Sequence, residues 1–381
     1  MLFRSHGAQP DQVLGDRSQL RPFERVFADD LRPDLRSLHI DGARGEIVYP
    51  LIILLLDACS GVDLANVAKP RALKEDGSRQ GVSRDMMRLA LVQMLRTFGR
   101  PPYPITIVHE NAAACLTRED RALFEDAFGD WIQFEATAVF RERMTAHGFV
   151  ESGGCPWDKA PIEVFFRLLQ TQLSRLRGST GPRYDAQHGD LKAIEEYTLA
   201  QIDAAQGVRE VIAQLASPLL RFPEAHDAIE RALKLLRFRT RHKLQGFDRL
   251  VEAQLPDGRW ITEQALALLP EAEQEAARIV ARLECPAERF TRLLQGVRFE
   301  PVDPDLLTWL EGPRTRVTVR CGKITLQDSA LASAPMIFRE EGHTLLEDGR
   351  EGRTYEAAFT ADRSRVVLAE EGRLIGGVNR Q

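Results

Sequence analysis

The chain lacks several features that would settle its class quickly. Its five cysteines (Cys59, Cys115, Cys155, Cys285, Cys321) are scattered, and no two stand at CxxC spacing. That spacing excludes a zinc ribbon, and an odd, unpatterned set in a chain this long reads as reduced thiols. No apolar run reaches bilayer length: residues 51–56 form the longest, far short of the roughly twenty a spanning helix needs. Residues 1–12 carry no signal-peptide apolar core. An excess of positive charge is missing too. Lysine and arginine number 51 against 56 aspartates and glutamates, for a net charge of −5. A protein that coats nucleic acid by bulk charge is therefore excluded, and any such contact must come from local basic islands. There is no internal repeat. These absences predict a reduced, cytoplasmic protein with no membrane association. What is present is 44% hydrophobic sequence over 381 residues, enough for a substantial core and two or three domains.

The pattern along the chain changes three times. Residues 1–22 are polar and read as a disordered lead or linker stub. Residues 24–40 are broken extended sequence, and the Asp41-Gly42 turn follows. Residues 50–56 are continuously apolar, as in a central strand buried on both faces. The turn from Asp57 to Gly61 lets residues 62–67 return as a hairpin partner. Met86, Leu89, Ala90, Met94 and Leu95 have helical spacing, with Gly99 as a stop. Residues 105–108 form a short β-branched strand, and Thr117 is the expected N-cap of a helix over 117–128. A strand over 131–135 and a loop over 148–161 precede a helix over 162–177, whose buried stripe is Phe165, Phe166, Leu169, Leu173 and Leu176. Residues 190–295 read as almost entirely helical, broken at Pro218, Pro223, Pro256 and Pro286. From Arg314 the period becomes two, with turns at Cys321-Gly322, Asp348-Gly349 and Glu371-Gly372. The expected architecture is a mixed α/β domain over 23–215, a helical extension over 216–313 and a small β-barrel over 314–376.

Three carboxylates stand at the ends of these elements. Asp29 lies in the first strand, Glu110 ends the 105–108 strand, and Glu163 sits in the first turn of the following helix. Singly, each reads as a solvated acid or a helix-dipole partner. Together, on neighbouring strands and one helix, they are the oxygen donors that two hard divalent cations need for phosphoryl transfer. Asp57 fits turn chemistry. Asp30 points away from Asp29 in an extended backbone and is the substitute ligand if the register shifts by one. Asn111 suits either a strand cap or a hydrogen bond near the ions. His109 has no His or Cys partner at ligand spacing, and Ser60 has no base at recognisable spacing. Two basic islands complete the picture: Lys234, Arg237, Arg239, Arg241 and Lys243, and Arg314, Arg316, Arg320 and Lys323. Such runs are usually solvated faces but also suit phosphate contacts.

Several of these segments resemble the catalytic core of Mu-type DDE transposases. Ala28-Asp29-Asp30-Leu31-Arg32-Pro33-Asp34-Leu35 is similar to the segment that opens the family's catalytic domain. Residues 50–61 resemble its apolar strand and hairpin, and Ile105 to Asn111 its strand ending in an acid and Asn. Gly154 to Glu163, with Trp157, Lys159 and Pro161, resembles the helix start that carries its third acid and is the most specific piece. The resemblance covers most of residues 23–376. It implies an RNase H-like mixed sheet with flanking helices, and a catalytic and metal-binding triad of Asp29, Glu110 and Glu163 holding two Mg²⁺ (or Mn²⁺) ions. The implied activity is DNA strand cleavage followed by 3′-hydroxyl strand transfer, with Lys159 near a phosphate. It also implies DNA partners (element ends and target), a homo-oligomer on DNA, and an accessory end-binding protein or ATPase, since no end-binding domain fits within residues 1–22. One departure is Glu110, where the family has Asp. Its extra methylene extends the carboxylate by about 1.5 Å. An adapted triad, a catalytically impaired DNA-binding or assembly protein, and an RNase H-fold nuclease that cleaves without joining therefore all stand open.

Overall fold

The structure is a computed structural model. It describes residues 20–380 except 75–76, 82, 110–115, 137–142, 145–149, 152–159, 181–189, 240–248, 259, 263–265, 267, 284, 313, 321–322, 327–335, 339–351, 361 and 372. In chain order the elements are β1 (Arg25–Leu31), β2 (Ser37–Asp41), β3 (Arg44–Val48), β4 (Pro50–Asp57), β5 (Asp63–Pro70), α1 (Arg84–Phe98), β6 (Ile105–His109), α2 (Arg118–Phe128), β7 (Ile132–Ala136), β8 (Arg143–Met144) and β9 (Val150–Glu151). There follow α3 (Ala160–Leu173), α4 (Leu191–Ala204), α5 (Arg209–Ala213), α6 (Phe222–Arg239), β10 (Arg249–Gln254), β11 (Trp260–Thr262), α7 (Glu271–Ala276), β12 (Arg278–Leu283), α8 (Pro286–Leu293) and α9 (Pro304–Glu311). The chain ends in β13 (Arg314–Thr318), β14 (Ile324–Leu326), β15 (Met336–Phe338), β16 (Thr354–Phe359), β17 (Arg365–Glu370) and β18 (Arg373–Asn379). Among the described residues no helix is long and apolar enough to cross a membrane.

The chain divides into two compact units. The first comprises residues 1–83, 103–115 and 133–297; the second comprises 84–102, 116–132 and 298–381.

A five-stranded mixed sheet of order β5-β4-β1-β6-β7 organises the first unit. β1 runs antiparallel to β4 and parallel to β6, and β4 runs antiparallel to β5. The apolar run of β4 is buried along its whole length, as its composition predicts for an interior strand. Alternation then sorts the layers. Phe27, Ile52, Leu54, Leu56 and Val108 pack on one face with Ile162, Phe165, Phe166, Leu169 and Leu173 of α3 and Ile229, Leu233 and Leu236 of α6. The α3 stripe is the one its sequence period predicts, and Leu176 packs at its edge.

The segment read as helical between residues 190 and 295 needs correction. It contains α4 to α8 but also a three-stranded antiparallel sheet of order β11-β10-β12. The Pro256-Asp257-Gly258 sequence, read as a helix break, lies between β10 and β11, and Gly258 takes a φ of 87°. A turn of this chemistry joins antiparallel strands readily, and the pairing of Arg249–Gln254 with Trp260–Thr262 and Arg278–Leu283 outweighs the helix-forming Glu252 and Gln254.

In the second unit, Thr117 caps α2 as expected. Its hydroxyl accepts from the Asp120 amide at 3.1 Å, and the Asp120 carboxylate accepts from the Thr117 amide at 3.4 Å. The C-terminal segment forms a four-stranded antiparallel sheet of order β13-β16-β17-β18 and a β14–β15 ribbon. Val317, Val319, Phe338, Tyr355 and Phe359 fill one of its faces, while Trp309 of α9 covers Ala358, Val367 and Ala369 on the other.

Candidate active site

The register of β1 decides which acids share a face. Asp29 pairs with Leu54, Phe27 with Leu56 and Leu31 with Ile52. Directly opposed residues lie on the same side of a sheet, and all five apolar residues belong to the cluster packed by α3 and α6. Asp29 therefore stands on the α3 side, half-buried between Phe27 and Leu31, and accepts from the Asp30 amide at 3.0 Å. Asp30, opposite Ile53, faces the other way.

Glu163 comes to the same layer from α3. It is exposed in the helix's first turn, one residue after the fully buried Ile162. Among the described residues it makes no hydrogen bond or ion pair. Several bonds fix α3 against the segment that leaves β1. The Asp34 amide donates to the Gln170 side chain at 3.1 Å, the Arg36 amide to the Gly178 carbonyl at 2.7 Å, and the Thr180 amide to the Asp34 carbonyl at 2.8 Å. The segment that leaves β1 is thus tied to the C-terminal part of α3 and to the residues that follow it, with Glu163 at the helix's opposite end.

Glu110 and Lys159 lie outside the described residues, as do Asn111 and Trp157. The last described pair of the parallel β1–β6 ladder is Ala28 with His109, one residue short of both Asp29 and Glu110. Among the described residues no three His, Cys, Asp or Glu side chains are grouped to hold a metal ion. Asp29 and Glu163 each carry a carboxylate, the kind of hard oxygen ligand that suits Mg²⁺ or Mn²⁺.

The remaining candidates have structural employment. Asp57 pairs with Val26, so it lies on the face opposite Asp29. It is fully buried and accepts from the Phe23 amide (2.8 Å), the Ser60 amide (2.8 Å) and the Ser60 hydroxyl (2.5 Å). Phe23 holds a φ of 68°, unusual for a bulky residue, and this carboxylate helps keep it there. Turn chemistry thus explains both Asp57 and Ser60. His109 pairs with Ala28, also on the face away from Asp29, and lies beside the Phe134 ring at a centroid distance of 6.4 Å.

The basic islands divide in the same way. Arg237 grips Asp63 with both arms of its guanidinium, Nε to Oδ1 at 3.0 Å and Nη2 to Oδ2 at 2.6 Å, and adds a bond to the Asp63 carbonyl at 3.1 Å. Burial alone would lower the Arg237 pKa; the bonds and charge of Asp63 outweigh it and raise it. Sequence reasoning missed this clamp because its partners lie far apart in the chain and no local pattern marks them. Lys234 is exposed on α6, and Arg239 ends the same helix; Arg241 and Lys243 lie outside the described residues. In the second unit Arg314 stacks over Trp309 at 4.9 Å, and burial, then the charge of Arg88, lowers its pKa. Arg316 is exposed opposite Glu356, and Arg320 bridges Lys323.

No protein-family model matches the chain, and a search of curated proteins finds no match either.

Proposed function

We propose that the first unit is the catalytic core of a metal-dependent DNA transposase or integrase of the Mu-like kind, built on an RNase H-like sheet. The observation that carries this reading is that Asp29, on the central β1, lies on the sheet face against which α3 packs, and that Glu163 opens that helix. The sheet order β5-β4-β1-β6-β7, antiparallel on one side of β1 and parallel on the other, supports it. So does the β1–β6 register. Its offset is 106 − 25 = 81 residues at every described pair, and Asp29 and Glu110 are separated by the same 110 − 29 = 81.

In this reading Asp29, Glu110 and Glu163 would hold two Mg²⁺ (or Mn²⁺) ions. When bound, such ions lower the pKa of an attacking hydroxyl and offset charge on the leaving oxygen. The chain's own part is to fix the carboxylates on rigid elements and to position the DNA strand. The reaction is hydrolysis of one strand at an element end, then attack of the freed 3′-hydroxyl on target DNA. A homo-oligomer on paired ends, the C-terminal β segment as a small barrel, and an accessory end-binding protein or ATPase belong to the same proposal.

The test is cleavage and joining of a pre-nicked branched DNA with Mn²⁺. Asp29→Asn and Glu163→Gln should each lower the rate at least about 100-fold, the scale of losing one transition-state charge partner. Activity indifferent to Glu163→Gln refutes the triad. Glu at position 110 motivates a second reading, a transposase-derived DNA-binding or assembly protein with an impaired site. An inactive wild type rescued by Glu110→Asp would favour it. Cleavage without joining would favour a nuclease.

A further inference from the structure

The outer face of α6 carries a feature that neither the triad nor the core explains. Arg231, Lys234 and Phe238 recur at helical spacing of three and four residues, forming one stripe on the side away from Ile229 and Leu236. Arg231 and Lys234 are exposed, and Phe238 leaves 54% of its surface in solvent. A cavity of about 350 Å³ opens here, lined by Glu230, Arg231, Leu233, Lys234, Arg237 and Phe238. Arg237 is held rigidly in its wall by the clamp on Asp63. A solvated helix face explains the charges, since cations suit the C-terminal half of a helix. It does not explain a large aromatic ring left open beside them.

We propose that this stripe is a docking site for a single-stranded stretch of nucleic acid, with a base stacked on Phe238 and flanking phosphates on Lys234 and Arg231. Two cations beside an open aromatic are what an unpaired strand recognises, because every base has a stacking face and every nucleotide a charge. In a duplex those faces are already hidden, so Phe238 selects unpaired nucleotides. An apolar peptide fits poorly: four of the six lining residues are charged and would lose solvation without gaining partners. The inference rests on the nucleic-acid part of the reading above and names the form of the strand.

The experiment is fluorescence anisotropy of a labelled twelve-nucleotide oligothymidylate on the full chain, in EDTA, with a duplex of equal length in parallel. Phe238→Ala should weaken oligothymidylate binding about tenfold or more, and Phe238→Trp should retain it, with indole fluorescence quenched on binding. Lys234→Ala should weaken binding and reduce the salt slope by about 0.7, the value for one phosphate contact on a single strand. Oligothymidylate affinity unchanged in Phe238→Ala overturns the proposal. So does a duplex that binds as tightly and depends on Phe238 equally, or no oligothymidylate binding at all. Self-association abolished by Phe238→Ala, with oligothymidylate affinity unchanged, would assign the face to a second copy of the chain. The two readings fail separately. Strand transfer lost in Glu163→Gln, with oligothymidylate binding indifferent to Phe238, sinks this inference alone. Binding through Phe238 by a chain that neither cleaves nor joins sinks the transfer reading alone.

Discussion

Replacing Asp57 by alanine separates a structural acid from a catalytic one. The carboxylate is fully buried and accepts three hydrogen bonds, from two backbone amides and one hydroxyl. Phe23 and Ser60, which supply them, are 1% and 0% exposed, so water cannot replace the lost acceptor without opening the fold. Each stranded donor costs about 1–3 kcal/mol, and removing a buried charge returns part of that. The expected net loss is about 4 kcal/mol. Release of Phe23 from its positive φ loosens the chain entry, where the Phe290 ring lies against it at 5.6 Å. The assay is a urea melt followed by far-UV circular dichroism. With a slope of about 2 kcal/mol/M, the transition of the first unit should move down by about 2 M, while that of the second unit stays in place. Mg²⁺ should change the melts of wild type and variant equally. A shift below about 0.3 M, or Mg²⁺ stabilisation that the variant loses, would refute the turn assignment.

Three further outcomes follow from the same geometry. Arg237→Ala leaves Asp63, whose side chain is 1% exposed, without its bidentate partner. Because Arg237 itself is 37% exposed, the cost is discounted to about 2–3 kcal/mol, readable as a lower urea midpoint, and Asp63→Ala in the same background should add little. Tyr103 donates to the Pro22 carbonyl at 2.7 Å, and burial, opposed by Arg21 and reinforced by Asp57, pushes its pKa up to about 12. A raised folded pKa means this contribution is complete below about pH 10, the ordinary tyrosine value, and is lost as pH rises through about 12. Ultraviolet titration of wild type against Tyr103→Phe should show that phenol ionising well above the ordinary tyrosine value. Gly178→Ala places a Cβ 2.3 Å from the Arg36 carbonyl at a φ of +92°, so it should cost at least about 2 kcal/mol in thermal or urea melts. If Asp29 and Glu163 act together, it should also lower strand transfer among molecules that remain folded.

The elements that the sequence makes legible are those where one signal acts alone. β4 is an unbroken apolar run, and α2 has both a cap and a helical period, so each could be assigned before any neighbour was known. Residues 249–283 were opaque because two signals compete there. Glu252 and Gln254 favour helix while the β-branched Val251 and the Pro256-Asp257-Gly258 turn favour a hairpin, and pairing with β11 and β12, which no local window contains, decides the outcome. The clamp of Arg237 on Asp63 was illegible for the same reason on a longer scale: 174 residues separate the partners. The acids on β1 were partly legible. Alternation alone put Asp29 and Asp30 on opposite faces, but which face meets α3 required the pairing of Asp29 with Leu54.

That pairing turns a list of carboxylates into a distinction. Asp57 and Asp63 are buried, and named internal donors fill them, so the fold itself needs both. Glu163 differs in kind. It stands exposed at the start of a helix whose other face supplies four large core side chains, Phe165, Phe166, Leu169 and Leu173. Folding needs that stripe and does not need the carboxylate. An acid that costs the fold nothing to lose, carried on an element the fold cannot lose, is free to be set by chemistry instead of by stability. The consequence is measurable as a split between two observables. Glu163→Gln should leave the urea midpoint within the scatter of a surface substitution, about 0.5 kcal/mol, while abolishing strand transfer. Asp57→Asn should do the reverse and lower stability first, with strand transfer following the folded fraction. If both variants lowered stability and activity in proportion, Glu163 would be as structural as Asp57, and the packing of α3 on the sheet face that carries Asp29 would have no chemical meaning.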